Sequence, residues 1–198
     1  MQSHDKKPYH HGELREALLN AGECALGQLG LEKLSLREIA RRAGVSHAAP
    51  KHHFQSLGEL LGEIAARGFN RFVETLQSVS DQSPDQSPQS RLQVMSRAYL
   101  RFADQNPAVY SLMFGKREQC VTTPNLAKAS LEAWNQLENA VSAIIGPQKA
   151  VNGALLVWSS VHGMAQLRID RKLPPQIDPQ SSLESVLRMI IAGMQAET

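Results

Sequence analysis

The sequence predicts an all-α fold of about nine helices. Three observations carry that expectation. Nearly every long segment spaces its apolar residues at helical period, and no segment sustains a strand-like alternation. Two Ser-x-x-Glu boxes, Ser35 to Glu38 and Ser56 to Glu59, have the chemistry of helix starts. Gly30 and Gly44 stand where helical patterns stop, and Pro107, Pro124 and Pro147 stand where a first turn tolerates proline.

The first pattern covers residues 10–29, where Leu14, Leu18, Ala21, Ala25 and Leu29 share one face ahead of Gly30. In Ser35-Leu36-Arg37-Glu38 the serine hydroxyl can accept from the Glu38 backbone N–H while the carboxylate reaches back. The helix this box opens ends near Arg42, and Gly44 suits the left-handed position of a tight exit. Ser46 is the expected cap of a second short helix closed by Phe54. Ser56-Leu57-Gly58-Glu59 then opens a long helix to about Val79. The tandem repeat Asp81-Gln82-Ser83-Pro84, Asp85-Gln86-Ser87-Pro88 makes residues 81–90 an expected flexible loop. Further helical patterns cover 89–105, 107–114, 124–145, 148–169 and 180–195. The chain therefore divides into a head over 1–55 and a helical body over 56–198.

Composition excludes several classes. With 198 residues and 42% hydrophobic side chains, the chain can bury a sizeable core. Cys24 and Cys120 are too far apart in sequence to suggest a disulfide framework or a metal cluster, and no cofactor is expected. The longest strongly apolar run, Ala154 to Trp158, is far short of a membrane span, and no apolar stretch follows Lys6 and Lys7. A cytoplasmic protein without a membrane partner is expected. There is no Gly-x-Ser-x-Gly, phosphate-cradling glycine loop, His-Glu-x-x-His or Cys-x-x-Cys, and His52 and His53 diverge by about 100° on a helix. Enzyme chemistry is not expected.

The net charge of +2 is uninformative, but its distribution is not. Six of the seven histidines and eight lysines and arginines lie within the first 54 residues, against six carboxylates. A basic end suits an anionic partner such as nucleic acid, and a solvated surface is the competing reading.

The stretch from Ser35 to Phe54 has the length of a DNA-reading helix-turn-helix, whose second helix enters the major groove. Leu36 and Ile39 face inward, Ala40 is small where helices cross, Gly44 makes the turn and Val45 fills the space beneath it. Arg37, Arg41, Arg42 and Lys51 remain outside, where phosphates would lie. His47, Ala48, Lys51 and His52 are the candidates to reach base edges, Ala48 by packing on a thymine methyl.

Residues Tyr9 to Phe69 resemble the DNA-binding domain of the TetR family of transcriptional regulators. The matching residues are Tyr9-His10-His11-Gly12 with Leu14-Arg15, Leu34 through Ala40, Ala43-Gly44-Val45-Ser46, His53-Phe54 and Leu60-Leu61. The resemblance implies a three-helix head that binds double-stranded operator DNA, a fourth helix joining it to the body, a homodimer and a small-molecule effector. The implied DNA-contacting set is Ser35, Arg37, Arg41, Ser46, His47, Ala48, Lys51, His52 and His53, although His53-Phe54 also resembles a packing element. Ala49-Pro50-Lys51-His52 departs from the family's usual leucine and aromatic, and proline there removes a backbone bond. His10 and His11 fit either a basic arm beside the groove or a solvated terminus.

The body carries Tyr99, Phe102, Tyr110, Phe114, Trp134 and Trp158 on helical faces, with His162 one turn after Trp158. Such residues are either plain core or, with Met95, Met113 and Met164, the wall of an adaptable apolar cavity for a mostly apolar ligand. Trp158-x-x-x-His162-Gly163 resembles a Trp-His-Gly signature in a subset of TetR-type regulators. Gly153, Ala154, Trp158, Val161 and Ala165 on one helix, and Leu183, Leu187, Ile190 and Met194 on the last, form stripes. They suit a two-fold four-helix interface, with Gly153, Gly163 and Gly193 allowing close approach, or an ordinary intramolecular core. A homodimeric repressor released by its ligand is the favoured reading. A TetR-like DNA-binding protein without an effector, in a chromosomal or protein-responsive role, is the alternative.

Overall fold

The computed structural model describes residues 11–115 and 120–196. Among these are eight α-helices and two 3-10 turns, with no strand. The helices are α1 (His11–Leu29), α2 (Leu36–Arg42), α3 (Leu57–Asp81), α4 (Pro88–Gln105), α5 (Pro107–Phe114), α6 (Pro124–Ile145), α7 (Ala150–Ile169) and α8 (Pro179–Ala196). No single described helix is long and apolar enough to cross a membrane.

The expected ninth helix is a 3-10 turn, Ala49–His52, and Pro50 is the reason. Proline has no N–H to give the Ser46 carbonyl, which accepts from Ala49 N–H at 3.0 Å instead. Three-residue spacing then continues, from Lys51 to Ala48 at 3.1 Å and from His53 to Pro50 at 3.0 Å. Ser46 makes no side-chain cap here. Both serine boxes do cap, since Ser35 accepts from Glu38 N–H at 3.2 Å and Ser56 from Glu59 N–H at 3.1 Å. The carboxylates go elsewhere than expected. Glu38 turns to arginines, and Glu59 accepts from Gln55 N–H at 2.6 Å. Gly44 has φ 69°, the left-handed turn predicted for it.

The loop between α3 and α4 is shorter than 81–90, because Asp81 ends α3 and Pro88 begins α4. Ser87 caps α4 through Ser90 N–H, and the Asp85 carboxylate accepts from Ser87 N–H at 2.8 Å. The repeat thus supplies the start of a helix.

Two large cores form, with a small cluster of Ala66, Phe69 and Ala129 beside them. The body core takes residues from α3, α4, α6, α7 and α8, with Tyr110 of α5. The head core combines Leu18, Leu19, Ile39 and Phe54 with Leu60, Leu61, Ile64 and Ala65 of α3, and with Val109 and Leu112 of α5. The interior of the head therefore does not stop at residue 55.

Candidate functional site

The polar rim of the head is built on α2 and the turn after it. Arg37, Arg41, Ser46, His47, Ala48, Lys51 and His52 are exposed, as is the cap residue Ser35. His53 is half-buried beside Phe54. Arg41 chelates the Glu38 carboxylate at 2.8 and 2.9 Å, and Arg42 adds a bond at 2.7 Å. Those bonds, Arg41 first, hold the Glu38 carboxyl at about 2. One carboxylate thus orients two arginines on the outer face of α2. Tyr9 and His10 lie outside the described residues.

The joint between head and body centres on Glu63, which is 8% exposed. Burial alone would raise its pKa, but hydrogen bonds from Thr123, Asn125 and Arg15 outweigh burial and hold it below the usual carboxylate range. Arg15 donates from α1 at 2.5 Å and Asn125 from the first turn of α6 at 2.8 Å. The residue before Glu63, Gly62, lets the chain lie directly on α3. A Cβ there would stand 2.2 Å from the Val121 carbonyl oxygen.

Above the joint the body holds a half-open cavity of about 520 Å³. Of the residues singled out from sequence, Tyr99, Phe114, Trp134, Trp158 and His162 line it, with Met95 and Met113. Phe102 and Tyr110 do not. Phe102 is 4% exposed and packs edge-on against Phe72 in the body core, its ring 5.2 Å away. Tyr110 is fully buried behind the wall, where its hydroxyl lies 2.7 Å from Nδ1 of His162 and 3.1 Å from the Tyr99 hydroxyl. Met164 packs on the body core and is not part of the wall. Sequence reasoning missed the contribution of α3, where Phe69, Phe72 and Leu76 line the cavity. Their i, i+3, i+7 spacing was visible, but that helix read as a connector.

Burial pushes Tyr110 up to about 12 and Tyr99 further, and pulls His162 down, so all three are neutral near pH 7. Trp134 gives its indole N–H to Glu138 at 2.8 Å. None of the described wall residues is Asp, Glu, Lys or Arg.

The stripes expected at a dimer interface face inward instead. Val161, Leu183, Leu187 and Met194 are buried in the body core, Ile190 is half-buried against it, and Trp158 lines the cavity. Gly153 is likewise internal, because a Cβ there would meet Ile145 and Val141 within 2.8 Å. The physical reason is that α8 places its leucine ridge, period three to four, on its own body. The outer faces carry a second apolar set, Val151, Leu156 and Leu167 on α7 and Met189 on α8, while the exposed Leu155 lines the cavity. Gly163 and Gly193 open onto empty space there.

A short capped helix, a left-handed glycine turn and an exposed basic element, joined by one long helix to a cavity-bearing body, define a helix-turn-helix transcriptional regulator. Residues 92–190, half of the chain, match the family described as tetracyclin repressor-like, C-terminal domain. Residues 18–64 match the bacterial regulatory proteins of the tetR family. The chain belongs to the TetR family, with a DNA-binding N-terminal domain, and that family is one of regulators, not enzymes. Among curated relatives, the HTH-type transcriptional regulator BetI of Serratia proteamaculans is 31% identical over 81 residues, 41% of either chain. An uncharacterized HTH-type regulator of Haemophilus influenzae is 28% identical over 50% of this chain and 52% of its own. The chain spans about half the length of the curated relatives it matches. A protein of unknown function from Rhodococcus sp. RHA1 shares the fold at a TM-score of 0.82. It is 30% identical, over 95% of this chain and 98% of that one. The SmeT–triclosan complex shares the fold at a TM-score of 0.62 and 19% identity, over 91% and 90% of the two chains.

Proposed function

We propose that the protein is a homodimeric repressor, released from a palindromic operator by a small, mostly apolar ligand held in the body cavity. The observation that carries the reading is the cavity itself. Its volume of about 520 Å³ falls in the range of sites that take drug-sized molecules, about 300–1,000 Å³. A protein of the same fold is known as a triclosan complex, which supports a small aromatic guest for this architecture.

A ligand can release DNA only by preferring the shape that does not bind DNA. Helix α5 is the element placed to transmit that preference. Phe114 lines the cavity, Tyr110 supports His162 from behind, and Val109 and Leu112 enter the head core. Displacing α5 by an ångström moves the floor of the head. Ser35, Arg37, Arg41, Ser46, His47, Ala48, Lys51 and His52 form the proposed DNA-contacting face, with His53 packing beneath it. We assign the dimer contact to the outer faces of α7 and α8, around Leu156, Leu167 and Met189, whose apolar exposure needs a partner surface. Trp158, His162 and Gly163 are the residues by which the chain would join a Trp-His-Gly subset. A cytoplasmic location fits this role.

The test is an operator selection followed by titration with ligands found by thermal shift. A stabilising ligand should weaken operator binding at least tenfold, a coupling of about 1.4 kcal/mol. If every stabilising compound leaves operator affinity unchanged, the protein binds DNA without a small-molecule effector.

A further inference from the structure

Three polar groups meet behind the cavity wall, and the positions of their hydrogens can be counted. The Tyr99 hydroxyl is 3.1 Å from that of Tyr110 and 2.9 Å from Nδ1 of His162, and Tyr110 is 2.7 Å from the same nitrogen. Neither hydroxyl has another hydrogen-bond acceptor among the described residues. Trp158 offers Tyr99 a donor, which does not help place the tyrosine's own hydrogen. If Nδ1 carried the proton, it would donate to one tyrosine, that tyrosine to the other, and the last hydroxyl hydrogen would have no acceptor. Stranding a buried hydroxyl in this way is unfavourable. If Nδ1 is bare, Tyr110 donates to it and Tyr99 donates to Tyr110, so every hydrogen is placed. The count selects the tautomer with hydrogen on Nε2.

That Nε2–H lies on the opposite side of the ring, in a residue that forms part of the cavity wall. It has no partner among the described residues. Two wall hydroxyls are engaged, Ser96 with the Leu92 carbonyl at 2.8 Å and Ser130 with the Ala127 carbonyl at 3.1 Å, while Thr122 and Ser159 add hydroxyls elsewhere on the wall. The ring is boxed by Phe114 at 5.0 Å and Trp158 at 6.0 Å between centroids. A largely apolar, aromatic wall with an imidazole N–H left to donate, and with no charged side chain among its described residues, suits a neutral guest that carries an acceptor.

We propose that the cavity selects an uncharged, largely apolar ligand by a hydrogen-bond acceptor of the carbonyl type, which binds the Nε2–H of His162. The proposal rests on the effector reading above for its biological use, but not for its chemistry. A cationic guest meets no counter-charge among the described wall residues, and a hydrocarbon leaves the N–H dry and unpaired.

Two measurements test it. The first needs no ligand: nitrogen-15 spectra of the intact protein at pH 7.5 should show His162 protonated on Nε2 and bare on Nδ1. The second is calorimetry with three compounds of one shape: benzophenone, diphenylmethane and benzhydrylamine. Benzophenone should bind about tenfold more tightly than diphenylmethane, benzhydrylamine should bind weakest, and the carbonyl preference should vanish in His162→Phe. A ring protonated on Nδ1 overturns the proposal whatever the variant does. So do equal affinities for ketone and hydrocarbon, a preference that survives His162→Phe, or no binding by either. Operator titration in the same samples separates the two readings. Carbonyl-selective binding that leaves operator affinity unchanged upholds the acceptor site and overturns the effector role.

Discussion

Arg15 joins the turn after α2 to the body through Glu63: its guanidinium donates to the carboxylate at 2.5 Å and also lies over the Phe54 ring, 5.4 Å from the centroid. Phe54 closes the turn that holds Lys51 and His52. Asn125, on the other side of Glu63, opens the helix whose Leu126, Ser130 and Trp134 line the cavity. One buried carboxylate thus touches both ends of the molecule.

Glu63→Gln should lower stability by about 1–2 kcal/mol at pH 7, less than the 3–5 kcal/mol of a fully buried pair, because the Arg15 side chain is 37% exposed. Its folded-state pKa is depressed, so its charge contributes stability above the unfolded value near 4.5 and loses it as pH falls through the folded value. Thermal melts of wild type and Gln variant should therefore differ most at neutral pH and converge in acid. Unchanged separation down to pH 2 would contradict the assignment.

Lys51→Ala and Arg37→Ala should each weaken binding to all duplex sequences. Each should also flatten the plot of log affinity against log salt by about one unit, as expected for one lost phosphate contact. Fluorescence anisotropy across a salt series reads this directly. An unaltered slope would place that side chain away from the backbone of the DNA.

Leu156→Asp or Met189→Asp should yield a folded monomer in sedimentation, since both side chains are exposed, at 48% and 66%, in the single chain. Leu187→Asp should instead unfold the body, because Leu187 is fully buried. A dimer unaffected by either outer substitution would put the contact on another face.

Gly62→Ala should cost about 1–3 kcal/mol, since its methyl has to displace the Val121 backbone from a 2.2 Å approach. The shifted segment adjoins Cys120 and Thr122 of the cavity wall, so ligand affinity should fall with stability. A neutral substitution in chemical denaturation would count against this packing.

Helix positions were legible because spacing and caps are local properties: Ser35, Ser56 and Gly44 do in the structure what their chemistry announces. The missing ninth helix was half-legible, since Pro50 stood in plain view but its outcome depended on which donor reached the Ser46 carbonyl. Facing was not legible. Leu183, Leu187 and Met194 make the same stripe whether they pack on their own body or on another copy, and periodicity carries no label for the partner. The same holds for Tyr110 and Phe114, four residues apart on α5, of which one lines the cavity and the other props its wall. The contribution of Phe69 and Phe72 was hidden for a different reason, since a long helix that joins two regions also serves as a side of one.

Because Val109 and Leu112 complete the head core, the head cannot finish assembling when its own residues have been synthesised. Leu18, Ile39 and Phe54 are made well before Val109 and Leu112, the side chains that seal them, and α3 must already be helical when α5 arrives. A nascent chain stalled before residue 107 should therefore be protease-sensitive throughout its first third. The order of synthesis thus makes the folding of the head wait on the first turns of the body.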